Sequence, residues 1–389
     1  MSEIGVGLVG YRFMGRAHSN AYRQVARFFK VDPAPRMRAI CGRDEEAVQS
    51  AADALGWEGY ETDYARMLKR DDIQLVDISS SGDTHHGFAV AALEAGKHVL
   101  CEKPLANTLA EAREMVEAAR RAGTVSMVCH NYRRVPAVQL AKRLIDEGRL
   151  GEVRHWRAVY LQDWLLDPAA PMTWRLRRDT GGAGPLADLG SHLVDLAHLL
   201  VGPIKEVAGT AATFIKERPR EGSGGGTSEM DRVTVNDAAA FLARFENGAI
   251  GTFEASPLVP GRKAKESFEV NGSKGSLVFD LERMNELRVY FEDEEPETSG
   301  FRTLLVTEPE HPYMEGWWPP GHIIGYEHTF VHTIKDLLEG IKTGKSPEPT
   351  FEDGYRCQAV IEAVERSVES RGWATPETYG SEGGANGAA

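Results

Sequence analysis

Through roughly its first 150 residues the chain alternates short apolar runs with stretches of helical periodicity, and this alternation limits the fold more than any other feature. Residues 4 to 9 (Ile-Gly-Val-Gly-Leu-Val) are an apolar run ending at Gly10. A helical stretch follows, with Ala17, Ala21, Val25 and Phe28 on one face. Met37 to Cys41, Leu75 to Ser79, His98 to Cys101 and Val125 to Cys129 read as further strands. Glu45 to Leu55, Thr84 to Ala95, a stretch opening at Thr108 and Pro136 to Glu147 read as helices. Glu111 lies three residues after Thr108, a capping-box pattern, and Gly123 stands where a helix C′ glycine belongs. Strands linked by helices of this length pair in parallel, so a doubly wound α/β sheet is expected.

The texture changes after about residue 150. Val153 to Trp164 is long and aromatic, and Asn247-Gly248 carries a hairpin signal. Phe268 to Val270 and Ser276 to Phe279 flank a second turn at 271–275. A second domain built on an open, mainly antiparallel sheet is therefore expected. Residues 216–232, with Gly224, Gly225 and Gly226, read as a polar excursion. Helices near 326–342 and 352–370 are expected to pack back on the body. The divisions expected are a first domain over 1–130, a second over 131–379 and a flexible tail over 380–389.

Composition removes several functions. Among 389 residues, 45 are Lys or Arg and 58 Asp or Glu, a formal net charge of −13. Such a chain is ill suited to nucleic-acid phosphate or an anionic membrane. No apolar run approaches the ~20 residues of a membrane span. The start has no basic region leading an apolar core, so a cytoplasmic location is expected. Cys41, Cys101, Cys129 and Cys357 lack CxxC or CxxH spacing, so neither a metal site nor a disulfide framework is expected.

The first strand leads into Gly10-Tyr11-Arg12-Phe13-Met14-Gly15 and then a helix. The dinucleotide fingerprint at such a junction is G-x-G-x-x-G. Gly10 and Gly15 supply its first and third glycines, and Arg12 replaces the second. A glycine pair at this spacing also marks ordinary turns, but its place at the first strand of a βα alternation favours a Rossmann-type site. The second strand ends Cys41-Gly42-Arg43, without the acid that usually holds the ribose hydroxyls of NAD. Gly42 and Arg43 thus lean slightly toward tolerance of NADP, unless Arg43 is simply a solvated loop residue.

Two polar groups downstream stand out. Lys103, in Cys101-Glu102-Lys103-Pro104, follows a strand at the sheet edge where α/β ligands bind. Asp188, His192 and Asp195 fall on one helical face beside a stripe of Leu189, Leu193, Leu196 and Leu200. On spacing alone that face could equally meet solvent.

Taken together, the glycine turn, the segment Ala95 to Ala106 with its Glu-Lys-Pro, and the D-x-x-x-H of Asp188 and His192 resemble the Gfo/Idh/MocA family of glucose-fructose oxidoreductases and inositol dehydrogenases. The resemblance spans nearly the whole chain. It implies NAD(P)-dependent oxidation of a sugar or cyclitol, a homodimer or homotetramer, and a cis bond before Pro104. It implies cofactor contacts at Gly10, Arg12, Phe13, Met14, Gly15, Gly42, Arg43, Ser79, Ser80, Ser81, His85, Glu102 and Lys103. The family's Pro-Asn-like pair is replaced here by Ser81-Gly82, so contacts over 79–81 are less well supported.

The resemblance assigns His192 as the base, Lys103 as the partner polarising the hydroxyl oxygen, and Asp188 as the orienting group, a carboxylate placed to orient the imidazole or hold a second substrate hydroxyl. Histidine titrates near neutrality and suits the proton transfer, while a cation stabilises developing alkoxide charge. Asn131, Tyr132, Arg133, Gln162, Asp163, Trp164, Trp174 and Arg175 are the expected sugar contacts, although the tryptophans could also be core. Asn-Tyr-Arg-Arg, then Tyr-Leu-Gln-Asp-Trp, then Trp-Arg is similar to the levoglucosan dehydrogenase branch, which implies oxidation at C3 of a pyranoside. A sugar-sensing regulator without turnover and an NAD-dependent glycosidase are the alternatives.

Overall fold

The computed structural model describes residues 2–220 and 229–380. The triple glycine at 224–226 and residues 381–389 of the expected tail lie outside the described residues. The first sheet holds β1 (Glu3–Val9), β2 (Ala34–Cys41), β3 (Tyr60–Glu61), β4 (Leu75–Ile78), β5 (His98–Glu102) and β6 (Ser126–Cys129). Their order is β3-β2-β1-β4-β5-β6, all parallel, as the alternating pattern requires. Helices α1 (Phe13–Phe28), α2 (Glu45–Leu55), α3 (Tyr64–Leu68), α4 (His85–Glu94) and α5 (Leu109–Ala122) connect them. Thr108 and Glu111 form the capping box of α5, and Gly123 closes it in the left-handed region.

The glycine turn is fixed by packing. Gly10 has φ +97°, and a Cβ there would lie 2.8 Å from the Ser79 carbonyl oxygen. A Cβ on Gly15 would lie 2.2 Å from the Gly10 carbonyl oxygen. The middle position needs no glycine, since Arg12 sits at φ −80°. Both observed glycines therefore let β1 and α1 meet closely, leaving the N-terminus of α1 at the sheet's carboxyl edge.

After α6 (Pro136–Asp146) the chain enters a mixed sheet of eight strands. These are β7 (Val153–Leu161), β8 (Ile204–Ala212), β11 (Ala238–Phe245), β12 (Ile250–Ser256), β13 (Lys265–Gly272), β14 (Gly275–Asp280), β15 (Glu286–Phe291) and β16 (Arg302–Leu305). The order is β16-β15-β14-β13-β7-β12-β11-β8, with β7 and β12 the parallel pair and the other neighbours antiparallel. Within the excursion, β9 (Glu217–Pro219) and β10 (Met230–Arg232) pair separately. Side chains alternate across the sheet with period two, so Trp156, Phe241, Phe253, Phe268 and Phe279 fill the inner face.

Two short and two long helices complete the chain: α7 (Arg178–Gly181), α8 (Ser191–Leu200), α9 (Tyr326–Thr343) and α10 (Phe351–Ser370). α8 and α10 cover the inner face of the second sheet. α9 instead joins the first domain, where Phe330, Val331, Ile334 and Leu337 pack with Ile4, Val6 and Leu8. The chain thus returns across both sheets. One local difference bears on function: where Asp188 is expected on one helical face with His192 and Asp195, the chain makes a wide π-turn, Leu186–Gly190, running into α8.

Gly10→Ala forces a side chain into a left-handed backbone position against the Ser79 carbonyl. It is expected to cost about 1–3 kcal/mol in urea unfolding and to weaken NADH binding in a fluorescence titration.

Candidate active site

The strands at the centre of the first sheet all end at one cleft. β1 leads to the glycine turn, β4 to Ser79 and Ser80, β5 to Lys103 and β6 to Asn131. The second domain closes the cleft into a cavity of about 440 Å³. Phe13, Met14, Ser80, His85, Glu102, Lys103, Asn131 and Tyr132 line one side; Tyr160, Gln162, Trp164, Trp174, Arg175, Asp188 and His192 line the other.

Lys103 and Asp188 connect the two sides. Lys103 Nζ donates to Asp188 Oδ1 at 2.8 Å and to the Asp188 main-chain oxygen at 2.8 Å. The widened π-turn suits the second bond, because it loosens the main-chain ladder where a carbonyl must serve a side chain. The peptide bond between Lys103 and Pro104 is cis. Burial pushes the Asp188 carboxyl up, but Lys103 and then Arg175 more than offset this and hold it below the ordinary range. Arg175 Nε lies 3.7 Å from Asp188 Oδ2, with its guanidinium over Trp174.

His192 is 5% exposed, which removes the solvent-face reading of its helix. Its ring is enclosed by Tyr132 at 4.5 Å, Tyr160 at 5.8 Å and His130 at 5.8 Å between centroids. Burial, then the positive charge of Lys103, then His130 lower its pKa well below the usual value. A neutral imidazole thus faces the cavity at neutral pH, the form able to accept a proton.

The Lys103 loop is anchored from below by His18, Tyr22 and Asp77, which no sequence pattern singled out, and by Glu102, expected at the cofactor but turned to His18. His18, buried on α1, places Nδ1 2.8 Å from Asp77 Oδ2 and Nε2 2.9 Å from Glu102 Oε1. Tyr22 donates to the same Asp77 at 2.9 Å, and the Lys103 amide donates to Glu102 Oε2 at 3.1 Å. Burial opposes charge on His18, but Asp77 and Cys129 overcome it and raise the pKa well above the ordinary value. Glu102, driven up by burial, is brought below its usual value by His18. An imidazolium between two carboxylates therefore sets the end of β5.

Other expected residues fall in different places. Arg133 does not line the cavity; its guanidinium makes a two-point pair with buried Asp195, at 2.8 and 2.7 Å, because that carboxylate has no water to solvate it. Asp163 likewise turns out to Lys263 at 2.6 Å. Trp164 is 46% exposed at the cavity mouth, so it is not core, and donates to Gln162 Oε1 at 2.9 Å. Asn131 donates to Thr329 on α9 at 2.9 Å. Ser79 bonds the Val9 carbonyl, Ser81 precedes a short turn, and His85 lies against the Pro104 and Ser80 carbonyls. Tyr326, on α9 and stacked on Phe13, also lines the cavity. It was not anticipated, since nothing local in the sequence links it to the glycine turn.

The glycine turn fits a dinucleotide. The N-terminus of α1 has no side-chain cap and no acidic residue in its first turn, so its amides are free to meet phosphate. At the end of β2 the ring of Tyr11 occupies the space where a Gly42 side chain would stand, 2.2 Å from a Cβ built there. Arg12 and Arg43 are both exposed.

A parallel sheet that brings free helix amides and a lysine, carboxylate and histidine to one cleft defines a dinucleotide-dependent oxidoreductase. The chain belongs to the GFO/IDH/MocA family. Residues 4–130 match the family's NAD-binding Rossmann fold and 138–278 its C-terminal domain. A levoglucosan dehydrogenase of Pseudarthrobacter phenanthrenivorans is 40% identical over 96% of this chain and 98% of its own. A levoglucosan dehydrogenase solved with NADH and levoglucosan superposes with TM-score 0.93 at 39% identity, covering 97% of this chain and 100% of that one. An oxidoreductase domain protein from Kribbella flavida gives 0.94 at 54% identity, over 97% and 100%. The chain is thus an NAD-binding oxidoreductase of a family acting on sugar and cyclitol hydroxyls. No helix among the described residues is long and apolar enough to cross a membrane.

The His18 cluster makes stability depend on pH. Its folded pKa is raised, so its contribution is complete below the unfolded value of ~6.5 and is lost as pH rises through the folded value. Urea midpoints of the wild type should therefore fall through the alkaline range, and His18→Gln, less stable throughout, should show a flatter decline.

Proposed function

We propose that this protein is an NAD(P)-dependent dehydrogenase that oxidises a secondary hydroxyl of a sugar, glycoside or cyclitol to a ketone. Its leading substrate class is a pyranoside oxidised at C3, as in levoglucosan. The observation that carries this reading is the joining of Lys103, Asp188 and a neutral, buried His192 at one cavity. Similarity to the levoglucosan dehydrogenases supports the sugar class.

The proposed roles follow from donor counts and charge. Lys103 spends two of its three N–H groups on Asp188 and keeps the third for the substrate oxygen. Its charge stabilises that oxygen as the proton leaves. His192 takes the proton, and its low pKa keeps it unprotonated for the task. Asp188 does not orient the imidazole as expected, because Lys103 takes its carboxylate; it holds Lys103 and, with Arg175, faces the neighbouring hydroxyls. Trp164 and Trp174 offer apolar faces to the C–H surface of a ring. Bound nicotinamide supplies the hydride acceptor. A regulator has no need of all three polar groups, and a dehydrogenase requires them.

For the cofactor we read tolerance of both NAD and NADP. Tyr11 covers the end of β2, no carboxylate stands at Gly42, and Arg43 is free to meet a 2′-phosphate. The proposed location is the cytoplasm. The proposed assembly is a homodimer or homotetramer formed through the outer face of the second sheet, where Leu242, Ile250 and Trp373 are about half exposed.

Nicotinamide reduction measured over levoglucosan, glucose and myo-inositol, each with NAD and NADP, tests the reading. Turnover of levoglucosan or another pyranoside is expected, and none with any sugar would overturn it. His192→Ala should lower kcat by about 10²–10⁴-fold. In the wild type the acid limb of kcat/KM should lie below the ordinary histidine value of ~6.5. Arg43→Ala should raise KM for NADP about tenfold, equivalent to ~1.4 kcal/mol, and leave NAD unchanged.

A further inference from the structure

Glu266 occupies a core position on β13. That strand buries every second residue, and Phe268 and Val270 take the next two inward places. Glu266 has no solvent exposure, and neither carboxyl oxygen has a hydrogen-bond partner among the described residues. Burying a carboxyl in a slot built for an apolar side chain costs stability, so a function is the natural reason for it.

Its position points to His192. Glu266 pairs directly with Tyr160 in antiparallel register, which places both side chains on the same face of the sheet. Tyr160 bonds Tyr132 through their hydroxyls at 3.0 Å, and both rings pack against the His192 ring. His192 carries the complementary gap: its Nδ1 is buried and also without a partner among the described residues. Nε2 is then the nitrogen left for the cavity, and its use as a base requires the hydrogen to sit on Nδ1.

We infer that Glu266 is a positioning residue for His192: through a bridging water its carboxyl accepts the hydrogen-bond chain that starts at Nδ1–H, and this fixes the tautomer whose Nε2 is free. This rests on the proposed role of His192 as base. The charged and titratable groups around Glu266 agree with it. Burial and then the Asp195 carboxylate on α8 push its pKa well above the ordinary value, with Lys103 opposing, while Tyr132 and Tyr160 complete the surroundings. Arg133 neutralises Asp195, and His130 stands beside His192. Glu266 is therefore a neutral acid whose carbonyl oxygen accepts while no second negative charge enters the site. In the reaction the substrate O–H bond breaks, an Nε2–H bond forms, and the hydride leaves carbon for the bound nicotinamide. Glu266 keeps its own proton, and the chain from Nδ1–H strengthens as the imidazolium forms.

Two replacements test this on the full-length protein. Glu266→Gln keeps a carbonyl acceptor, whereas Glu266→Leu removes it at similar volume. Nitrogen NMR of histidine-labelled protein, read without substrate, should give the Nδ1–H tautomer of His192 in the wild type and Glu266→Gln. A mixture of tautomers is expected in Glu266→Leu. In turnover, Glu266→Leu should lose about tenfold or more in kcat with KM little changed, and Glu266→Gln should recover most of it. Thermal melts of both variants check that they fold; Glu266→Leu leaves the buried Nδ1–H without its acceptor and should melt somewhat lower than Glu266→Gln, so the tautomer and the split between kcat and KM separate positioning from a merely structural role. If Glu266→Leu does not fold, Glu266→Met carries the same test. An unchanged tautomer, or equal kcat in the Gln and Leu variants, would overturn the inference. Wild-type protein inactive on every sugar, with the tautomer still shifted in Glu266→Leu, would instead overturn the proposed function and leave the Glu266 contact standing.

Discussion

The bond from Lys103 to Asp188 is the constraint on which the rest of the site depends. It joins the end of β5 in the parallel sheet to the wide turn that opens α8 on the second sheet. A single ammonium serves both a side-chain oxygen and a main-chain oxygen of Asp188, so the turn is held in position as well as in charge. Because Lys103 lies near His192, its charge also lowers the pKa of that imidazole. One cation therefore links the two sheets and adds to the burial that keeps the proposed base neutral.

Buried charges are paired around this link in successive layers. His18 stands between Asp77 and Glu102 beneath the Lys103 loop, and Arg133 answers Asp195 beneath His192. Pairs of this kind seldom add net stability, because desolvation cancels most of the attraction. What they provide is orientation, since a charge buried in apolar surroundings has few places to go. The Lys103 amide bound to Glu102 illustrates this: the lysine's backbone is held by a carboxylate that is itself held by an imidazolium.

Much of the scaffold was legible from local signals. The periodic runs gave the parallel strands and their helices, since burial on both faces leaves continuous apolar strands. Thr108, Glu111 and Gly123 marked the limits of α5 by capping chemistry alone. The Asn247-Gly248 turn joined β11 to β12 as expected. Gly10 and Gly15 were legible because close backbone approach excludes a side chain, which is a requirement of the residue itself. Lys103, Asp188 and His192 were legible as polar types at suggestive places, and they do meet at one cavity.

Sequence by itself determined the order of elements, the glycine turn and the residue types available for chemistry, because these depend on neighbours along the chain. Tertiary structure alone decided which polar groups meet. Arg133 and Asp163, both expected at the sugar, are drawn to Asp195 and Lys263, as opposite charges brought close by folding. Tyr326 reaches the cavity only because α9 crosses back to the first domain. His18 finds Asp77 and Glu102 across 59 and 84 residues of chain, a pairing no periodicity encodes. Glu266 is buried because the register of β13 with β7 turns it inward, and register is a property of two strands rather than of one.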